Sequence, residues 1–261
     1  MRVLFLGNNR VAWRVASYLA EHEEIVGLVL HPPERRKYGD EILSATHVAP
    51  SAVFDATKLD RPDVLEAVRG LRPDIGVSVY FGYIVRRSFL DCLPQGCLNV
   101  HPAYLPYNRG AYPNVWGIVD RTPVGATIHY MDEGVDTGDV VDQVEVPVDP
   151  TDTGGTLYGK LEQACLEVFE RTWPKVATGR AARTPQPRDG GTFHRVRDVG
   201  SIDEIRQERT YVARELIDIL RARTFPPYPG AYFVHEGRKI YMRLQLLTED
   251  ELSGPEHGSG D

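Results

Sequence analysis

Two polar side chains suited to joint chemistry stand close together in Asn99-Val100-His101-Pro102. Residues 96–100 are typical of a buried strand, and alternate side chains along a strand lie on one face. Asn99 and His101 should therefore point into the same cleft, just before a loop whose path Pro102 restricts. An amide offers N–H donors and an imidazole can give or take a proton, so the pair is suited to a reaction at a polar carbonyl group.

A carboxylate in the turn-rich residues 132–138 is the third candidate group. Read alone, Asp136 is better explained as a turn residue that bonds its own backbone. A single His101 is likewise more often a hydrogen-bonded structural residue than a catalyst. Their combination with Asn99 favours a catalytic role for all three. His129 lies on a predicted strand, where a hydrogen-bonded core or supporting role is favoured over direct chemistry.

The elements that must position these side chains alternate between strands and helices in the first half of the chain. Apolar runs predict strands at residues 2–6, 25–30 and 74–79, and helical spacing predicts helices that end near residues 22 and 71. Such alternation indicates a parallel sheet with right-handed crossovers, whose ligands bind at the carboxyl ends of strands near a switch in strand order. We therefore predict an α/β fold with a doubly wound, Rossmann-like parallel sheet.

The second half of the chain is predicted to complete this domain and to add a small appendage. Strands at residues 126–131 and 140–148 and a long helix at residues 155–177 should close the main domain. A helix near residues 210–223 and a hairpin around Glu236-Gly237 form the appendage. The predicted organisation is a catalytic domain at 1–180, a linker at 181–191, a small helix-plus-hairpin C-terminal unit at 192–247 and a flexible tail at 248–261.

Three motifs in this order, N-x-H-P from Asn99, L-P-x-x-x-G from Leu105 and D-E-G-x-D-T-G from Asp132, resemble those of the folate-dependent formyltransferases. The resemblance is close over residues 73–148 and looser over most of residues 1–177. It implies that an Asn, a His and an Asp form the catalytic set, which fall here on Asn99, His101 and Asp136. It also implies 10-formyltetrahydrofolate as the formyl donor.

Formyl transfer to an amine places defined demands on such a set. The attack produces a tetrahedral centre with a negative oxygen and a positive nitrogen, which need hydrogen-bond donors and a proton acceptor. A carboxylate beside His101 would favour its imidazolium form and make it a charged donor, while Asn99 supplies a second donor. Asp136 would accept or relay the amine proton, directly or through one water. Loss of one such donor typically costs about 3 kcal/mol of barrier.

The resemblance also implies where the flat pterin of the folate binds, through main-chain groups of two loops. The predicted cofactor-binding residues are Tyr83, Ile84 and Val85 in the first loop and Asp132, Glu133 and Val135 in the second. A strand end with locally packed aromatic residues would also explain the sequence around Tyr83.

Residues for the acceptor substrate are predicted at two places. The turn Gly7-Asn8-Asn9-Arg10 lacks the G-x-G-x-x-G pattern, which disfavours NAD or FAD, although the amino end of a helix still attracts phosphate. Asn9 and Arg10 are therefore candidates for binding a diphosphate or a ribose, and a plain polar turn is an equally good explanation. Tyr107 and Arg109, in the polar loop after the Asn99 strand, are also assigned to the substrate.

Composition and charge limit the partners and the compartment. The formal net charge of −7 disfavours a nucleic-acid partner, and no apolar segment has the length of a membrane span or the pattern of a signal peptide. We therefore expect a cytoplasmic protein with no membrane partner. Cys92, Cys97 and Cys165 lack metal-ligand spacing and are interpreted as core residues, so no metal is expected. The small hairpin predicts that the appendage helps to form a homodimer.

The acceptor is predicted from the features that the chain shares with each subgroup of formyltransferases. Three segments, Asn108-Arg109-Gly110, Pro113-Asn114-Val115-Trp116 and Phe225-Pro226-Pro227-Tyr228, resemble sugar-nucleotide N-formyltransferases, which implies a dTDP-, UDP- or GDP-linked amino sugar. Methionyl-tRNA is disfavoured by the short, non-basic ending and the negative charge, and glycinamide ribonucleotide by the extra C-terminal unit. A formyltetrahydrofolate hydrolase with the same three residues and a non-catalytic binding module remain as alternatives.

Overall fold

The structure is a computed structural model that describes residues 1–187 and 189–252. Its strands, in chain order, are β1 (Arg2–Gly7), β2 (Glu24–Leu30), β3 (Val53–Asp55), β4 (Ile75–Val79), β5 (Cys97–His101), β6 (Arg109–Gly110), β7 (Gly125–Tyr130), β8 (Val140–Glu145), β9 (Phe193–His194), β10 (Tyr232–His235) and β11 (Arg238–Tyr241). Its helices are α1 (Arg10–His22), α2 (Gly39–Thr46), α3 (Pro62–Gly70), α4 (Arg87–Leu90), α5 (Pro113–Val119), α6 (Gly154–Ala177), α7 (Gly200–Asp203), α8 (Ala213–Ala222) and α9 (Glu249–Leu252).

A seven-stranded sheet with the order β3-β2-β1-β4-β5-β7-β8 forms the centre of the molecule. Its first five strands are parallel, which confirms the predicted Rossmann-like α/β fold. β7 and β8 are antiparallel to their neighbours and in this respect differ from the predicted parallel sheet. The chain reverses between β7 and β8 through a loop, whereas a parallel pair would need a crossover connection of a dozen or more residues.

Helices cover both faces of the sheet. One face packs against α1, α5 and α6 through buried residues that include Val15, Ile118 and Leu161. The other face packs against α3 and α4 through Leu65 and Phe89. Because both faces are covered in this half of the sheet, its strands are continuous apolar runs, the pattern from which they were predicted.

The second face carries polar side chains where β5 and β7 lie. Asn99, His101 and His129 point to this face, since their alternate neighbours Val100 and Ile128 lie in the core under the first face. This part of the face is covered by loops and not by helices. The loop after β5 and the loop between β7 and β8 are joined there by a hydrogen bond from Gly110 N to the Asp136 carboxylate. This loop-covered part of the sheet is where a polar site can form.

The C-terminal part contains the predicted helix and hairpin. α8 begins at Ala213 because Val212 has an extended backbone, so it starts three residues later than the sequence suggested. β10 and β11 pair as an antiparallel hairpin around Glu236-Gly237. Within the segment predicted to be a flexible tail, Glu249–Leu252 forms a helical turn, and residues 253–261 lie outside the described residues.

Candidate active site

Three polar side chains form a row across β4, β5 and β7. The strand register places Ser78 beside Asn99 and Asn99 beside His129. Ser78 Oγ donates to Asn99 Oδ1 over 2.9 Å, and Asn99 Nδ2 lies 3.1 Å from His129 Nε2. His129 Nδ1 lies 2.9 Å from the carbonyl oxygen of Tyr130, which only accepts, so Nδ1 donates there and Nε2 faces the Asn99 amide nitrogen. The row therefore fixes the direction of the Asn99 amide.

Asp136 reaches this row from the loop between β7 and β8. Its Oδ1 lies 3.4 Å from Asn99 Nδ2 and 3.5 Å from His129 Nε2, and its Oδ2 lies 3.6 Å from His101 Nε2. The Asp136 side chain is only 12% exposed, so its carboxylate is largely shielded from bulk water. The structure thus brings together the three residues that the sequence motifs single out.

Asp136 is held as an ionised carboxylate. Burial alone would raise its pKa, but the neighbouring His101, the hydrogen bond with His129 and the N–H of Gly110 together hold the pKa well below its usual range. The Gly110 N–H donates to Oδ2 over 2.8 Å. Asp136 also has a φ of 55°, a left-handed backbone conformation that is uncommon for a residue with a side chain and that recurs at functional turns. The carboxylate is therefore ionised and held in place at neutral pH.

His101 is a neutral imidazole in this pocket, which contradicts the predicted imidazolium. Burial lowers the pKa of the ring below the ordinary value of 6.5, and His129 lowers it further, so the opposing effect of Asp136 is outweighed. His101 Nε2 lies 3.1 Å from the carbonyl oxygen of Asn108. Since a carbonyl only accepts, the neutral ring carries its proton on Nε2 and donates it there. His101 is a donor without a charge.

Sequence reasoning missed the supporting groups of this pocket. They are the Ser78 hydroxyl, the Asn108 carbonyl and the Gly110 N–H. Ser78 interrupts an apolar strand beside β5, and that interruption was a usable signal. The Asn-Arg-Gly sequence signals a tight turn, but only the folded loop shows where its backbone groups point. His129 is buried and hydrogen-bonded, as its position on a strand predicts.

The first predicted pterin-binding loop follows β4. Tyr83 is half-buried, Val85 is buried and Ile84 is 81% exposed. Among the described residues, no hydrogen bond between backbone groups engages these three residues. Their N–H and C=O groups therefore fit the predicted main-chain contacts with a flat ring that both donates and accepts.

The second predicted pterin-binding loop follows β7. Asp132 Oδ1 accepts from Gly134 N over 2.9 Å and from Thr137 Oγ1 over 2.6 Å, so its side chain stabilises the turn. Asp132, Glu133 and Val135 are exposed, and backbone-to-backbone hydrogen bonds within the described part of the chain leave their main chain unengaged. Like the first loop, this loop therefore has main-chain groups that fit the predicted contacts with the pterin.

Asn9 and Arg10 begin α1 where the strand order switches between β1 and β4. Asn9 Oδ1 caps the helix by accepting from Ala12 N over 3.1 Å, and Asn9 Nδ2 lies 3.3 Å from the hydroxyl of Tyr158. Arg10 Nη2 forms an ion pair with Glu162 over 3.0 Å, and half of the Arg10 side chain is exposed. The helix start is present as predicted, but Glu162 balances the charge that was expected to bind phosphate.

Tyr107 and Arg109 lie in the loop after β5, on either side of Asn108. Both are half-buried. Arg109 Nε and Nη2 donate to Gln186 Oε1 over 3.2 and 2.7 Å. The guanidinium is thus anchored beside Asp136 by a residue of the segment that was predicted to be a linker.

The three cysteines are buried and free, as predicted, and burial raises the pKa of Cys97 and Cys165 to about 12. In residues 1–187 and 189–252, no group of three or more His, Cys, Asp or Glu side chains is arranged to hold a metal ion. None of the helices in those residues has the length and apolar character needed to cross a membrane.

The sheet and its polar side chains define a class of protein: a doubly wound α/β protein that brings an amide, an imidazole and a carboxylate together beside the sheet. Comparison with known protein families then identifies the family to which the chain belongs. Residues 1–172 match the family described as formyl transferase, and residues 198–249 match the N-formyltransferase dimerization C-terminal domain. The chain belongs to the formyl transferase family and is an N-formyltransferase.

Similar proteins include enzymes named for two kinds of acceptor. The chain is 33% identical over 268 residues to a methionyl-tRNA formyltransferase of Symbiobacterium thermophilum, a match that covers 99% of this chain and 79% of the relative. A 4-N formyltransferase from Francisella tularensis has 27% identity and a TM-score of 0.80, with 95% of this chain and 98% of that chain covered. The formyltransferase PseJ from Anoxybacillus kamchatkensis, in complex with UDP-4,6-dideoxy-4-formamido-L-AltNAc and tetrahydrofolate, has 28% identity and a TM-score of 0.58 over 77% of this chain and 89% of that chain.

Proposed function

We propose that this protein transfers the formyl group of 10-formyltetrahydrofolate to the amino group of a nucleotide-linked amino sugar. The observation that carries the transfer chemistry is that the side chains of Asn99 and His101 both lie within 3.6 Å of an ionised, largely buried Asp136. The acceptor class is supported by the sugar nucleotide in the PseJ complex. The 4-N formyltransferase of Francisella tularensis, matched along nearly the whole of both chains, supports transfer to a nitrogen atom. The net charge of −7 disfavours a large polyanionic acceptor.

In the proposed reaction, the acceptor nitrogen attacks the formyl carbon, and negative charge develops on the formyl oxygen. Asn99 Nδ2 and His101 Nε2 carry the hydrogens that stabilise this charge. Asp136 takes the proton that the amine loses, directly or through one water. The bond between the formyl carbon and the folate nitrogen then breaks, and the proton passes to that nitrogen. The products are a formamide and tetrahydrofolate.

The donor hydrogens are already engaged before substrate binds. Asn99 Nδ2 contacts Asp136 and His129, and His101 donates to the carbonyl oxygen of Asn108. Binding of the formyl oxygen therefore has to redirect at least one of these hydrogens. Because the groups are placed by strands and a short loop, little further rearrangement is needed, which is the arrangement that favours transition-state stabilisation.

The substrates are assigned to two parts of the pocket. The pterin lies against the main chain of Tyr83, Ile84 and Val85 and of the loop from Asp132 to Val135, where backbone groups are unengaged. The sugar nucleotide extends toward Asn9, Arg10, Tyr107 and Arg109. A homodimer forms through the C-terminal unit, supported by the match of residues 198–249 to a dimerization domain.

Methionyl-tRNA is the second candidate acceptor. Curated relatives that are 30% to 33% identical carry the name methionyl-tRNA formyltransferase, and the match covers nearly the whole of this chain. The same three residues would serve that reaction, because the chemistry at the formyl carbon is unchanged.

An acceptor panel tests the proposal. The protein is incubated with 10-formyltetrahydrofolate and, separately, dTDP-3-aminofucose, the UDP-linked 4-amino sugar whose formamide is bound in PseJ, charged initiator tRNA, or no acceptor. We expect tetrahydrofolate release with a sugar nucleotide, and a formamide product by mass spectrometry. Transfer to tRNA alone would overturn the acceptor class, and release without an acceptor would indicate a hydrolase. No release in any arm would favour a binding module.

A further inference from the structure

The segment between α6 and β9 contacts both loops of the active site. We call residues 184–187 and 189–194 the strap. Its Thr192 hydroxyl accepts from Asn108 N over 2.8 Å, and its Thr192 and His194 carbonyls accept from the backbone N–H groups of Arg109 and Ala111 over 3.0 and 2.9 Å. The strap therefore supports the loop that supplies the Asn108 carbonyl and the Gly110 N–H to the pocket.

Gln186 connects the strap to the loop between β7 and β8, which carries Asp136. Its Nε2 donates to the carbonyl oxygens of Asp136 and Gly138 over 2.9 and 2.8 Å. Its Oε1 accepts both N–H contacts of the Arg109 guanidinium. One side chain thus joins the backbone of the loop that carries Asp136 to the residue next to Gly110.

The chemistry of its partners fixes the orientation of the Gln186 amide. A guanidinium has only donors and a backbone carbonyl has only an acceptor, so Oε1 must face Arg109 and Nε2 must face the two carbonyls. Only one orientation of the Gln186 amide satisfies both sets of partners. A replacement would have to supply an acceptor on one side and a donor on the other.

The Asp136 loop has a particular need for such a support. β7 runs antiparallel to β5, so its end at Tyr130 lies opposite Leu98, away from His101. The chain has to fold back across the sheet face before Asp136 can approach His101, and it does so with a left-handed backbone at Asp136. Within residues 1–187 and 189–252, residues 132–138 belong to no strand, and the two hydrogen bonds from Gln186 hold the backbone of this turn together with the side-chain contacts of Asp132.

We infer that Gln186 is a positioning residue that holds the Asp136 carboxylate in register with Gly110 and His101. The inference rests on the proposed role of Asp136 as the proton acceptor. Loss of the two donated hydrogen bonds lets the turn move away, and a displacement of about 1 Å at a reacting group can cost about a hundredfold in rate. Gln186 also anchors Arg109, which is assigned to the acceptor, so acceptor affinity should stay nearly unchanged in a variant that keeps this contact.

Two substitutions separate the halves of this side chain. Gln186→Leu removes all of its hydrogen bonds, whereas Gln186→Glu keeps the acceptor for Arg109 and replaces the donor by a second acceptor facing two carbonyls. Gln163→Leu is the matched control, because Gln163 is exposed on α6 and its Nε2 donates to the neighbouring Glu167 of the same helix. Asp136→Asn is measured in the same series.

Two readouts decide the outcome. We expect both Gln186 variants to lower kcat by about ten- to a hundredfold and to speed hydrogen exchange at the Gly110 amide about tenfold or more. KM for the acceptor should change less than about threefold in Gln186→Glu, which keeps the contact with Arg109. Gln163→Leu should match the wild type in both. Full kcat in Gln186→Glu, or unchanged Gly110 exchange in Gln186→Leu, would overturn the positioning role. Full activity of Asp136→Asn would instead refute the proposed catalytic role of Asp136. Hydrogen exchange at the Gly110 amide would still test whether Gln186 holds the two loops together, because that measurement does not depend on catalysis.

Discussion

Both the oxygen and the nitrogen of the Asn99 side-chain amide have hydrogen-bond partners. Ser78 Oγ donates to its carbonyl oxygen, while its amide nitrogen faces His129 and Asp136. The two sides differ in what they contribute, because only the nitrogen carries hydrogens that a developing oxyanion can use. The hydroxyl of Ser78 holds the amide in its orientation and does not itself face the reacting group.

This difference predicts unequal effects of two small substitutions. Asn99→Ala removes a donor to the oxyanion and should lower kcat about 10²- to 10³-fold. Ser78→Ala leaves the donor present and loses one tether, so we expect a loss below about tenfold. Steady-state formyl transfer with both variants measures this. Equal losses would show that Asn99 acts only as part of the packed row.

A second prediction concerns pH and His101. Its folded pKa lies below the unfolded value of 6.5, so the unfolded chain binds more protons and the free energy of unfolding should fall as the pH drops below about 7. The lowered pKa of Asp136 acts only below about pH 4 to 5, since its unfolded value is 3.8. His101→Gln should therefore lose less stability than the wild type between about pH 7.5 and pH 5.5 in urea unfolding. Parallel losses in the two proteins would exclude a neutral, buried His101.

The sequence predicts which residues meet in the pocket but not their charge. Asn99 and His101 alternate on one strand, and Asp136 belongs to a specific motif, so all three could be identified from residue types and spacing. The neutral state of His101 depends on burial and on the carbonyl of Asn108, which approaches only after the loop has folded. Neither the burial of His101 nor its contact with Asn108 can be predicted from the residue types in the motif.

Among the elements, the short pair of β6 and β9 connects the strap to the active-site loop. Gly110 in β6 has a φ of 87°, and a Cβ there would lie 2.3 Å from the carbonyl oxygen of His194. The close approach of these two strands is what turns the Gly110 N–H toward Asp136. A side chain at this position would separate the strap from the loop.

A pair of glycine substitutions tests this element. Gly110→Ala should destabilise the protein by more than about 1 kcal/mol, through the left-handed backbone and the contact with His194, and should also reduce turnover. Gly159→Ala is the control, because nothing lies within 4 Å of a Cβ there and the residue is inside α6. It should stabilise by about 0.5 to 1 kcal/mol with unchanged turnover. Chemical denaturation of both variants gives the comparison, and a neutral Gly110→Ala would contradict the close packing.

The elements differ in how well the sequence predicts them. β1, β2 and β4 are apolar runs buried on both faces, so hydrophobic pattern alone identifies them. β6 and β9 have two residues each, which is too short for any periodic pattern. The strap is rich in Pro and Gly, and its function lies in contacts with distant backbone groups. Composition therefore identifies an irregular segment and gives no information on what it supports.

At the scale of the whole molecule, the C-terminal unit exposes apolar side chains on its hairpin. Val234, Ile240 and Tyr241 are 44%, 42% and 50% exposed. A two-stranded hairpin gains little stability by itself, so burial against a second copy is the expected use of these residues. This surface lies in the segment that matches the dimerization domain.

A charge on this surface should separate the subunits. We expect Ile240→Glu to shift the protein from dimer to monomer in sedimentation velocity at micromolar concentration, because a buried, unpaired carboxylate opposes association. Val196→Glu is the control, since Val196 is 65% exposed and precedes the matched dimerization segment. A dimer that survives Ile240→Glu, or a monomeric wild type, would exclude the hairpin as the interface.

The central claim is that three distant parts of the chain form one formyl-transfer site with Asp136 as its proton acceptor. The most direct measurement compares single-turnover formyl transfer by Asp136→Asn and by Asp139→Asn, with the acceptor that the wild type formylates. Asp139 is a half-buried aspartate of the same loop whose backbone carbonyl bonds Tyr130 N. We predict a loss of about 10²- to 10⁴-fold for Asp136→Asn with sugar-nucleotide affinity retained, and near wild-type rates for Asp139→Asn. A rate within tenfold of wild type in Asp136→Asn, or an equal loss in both variants, would contradict the account.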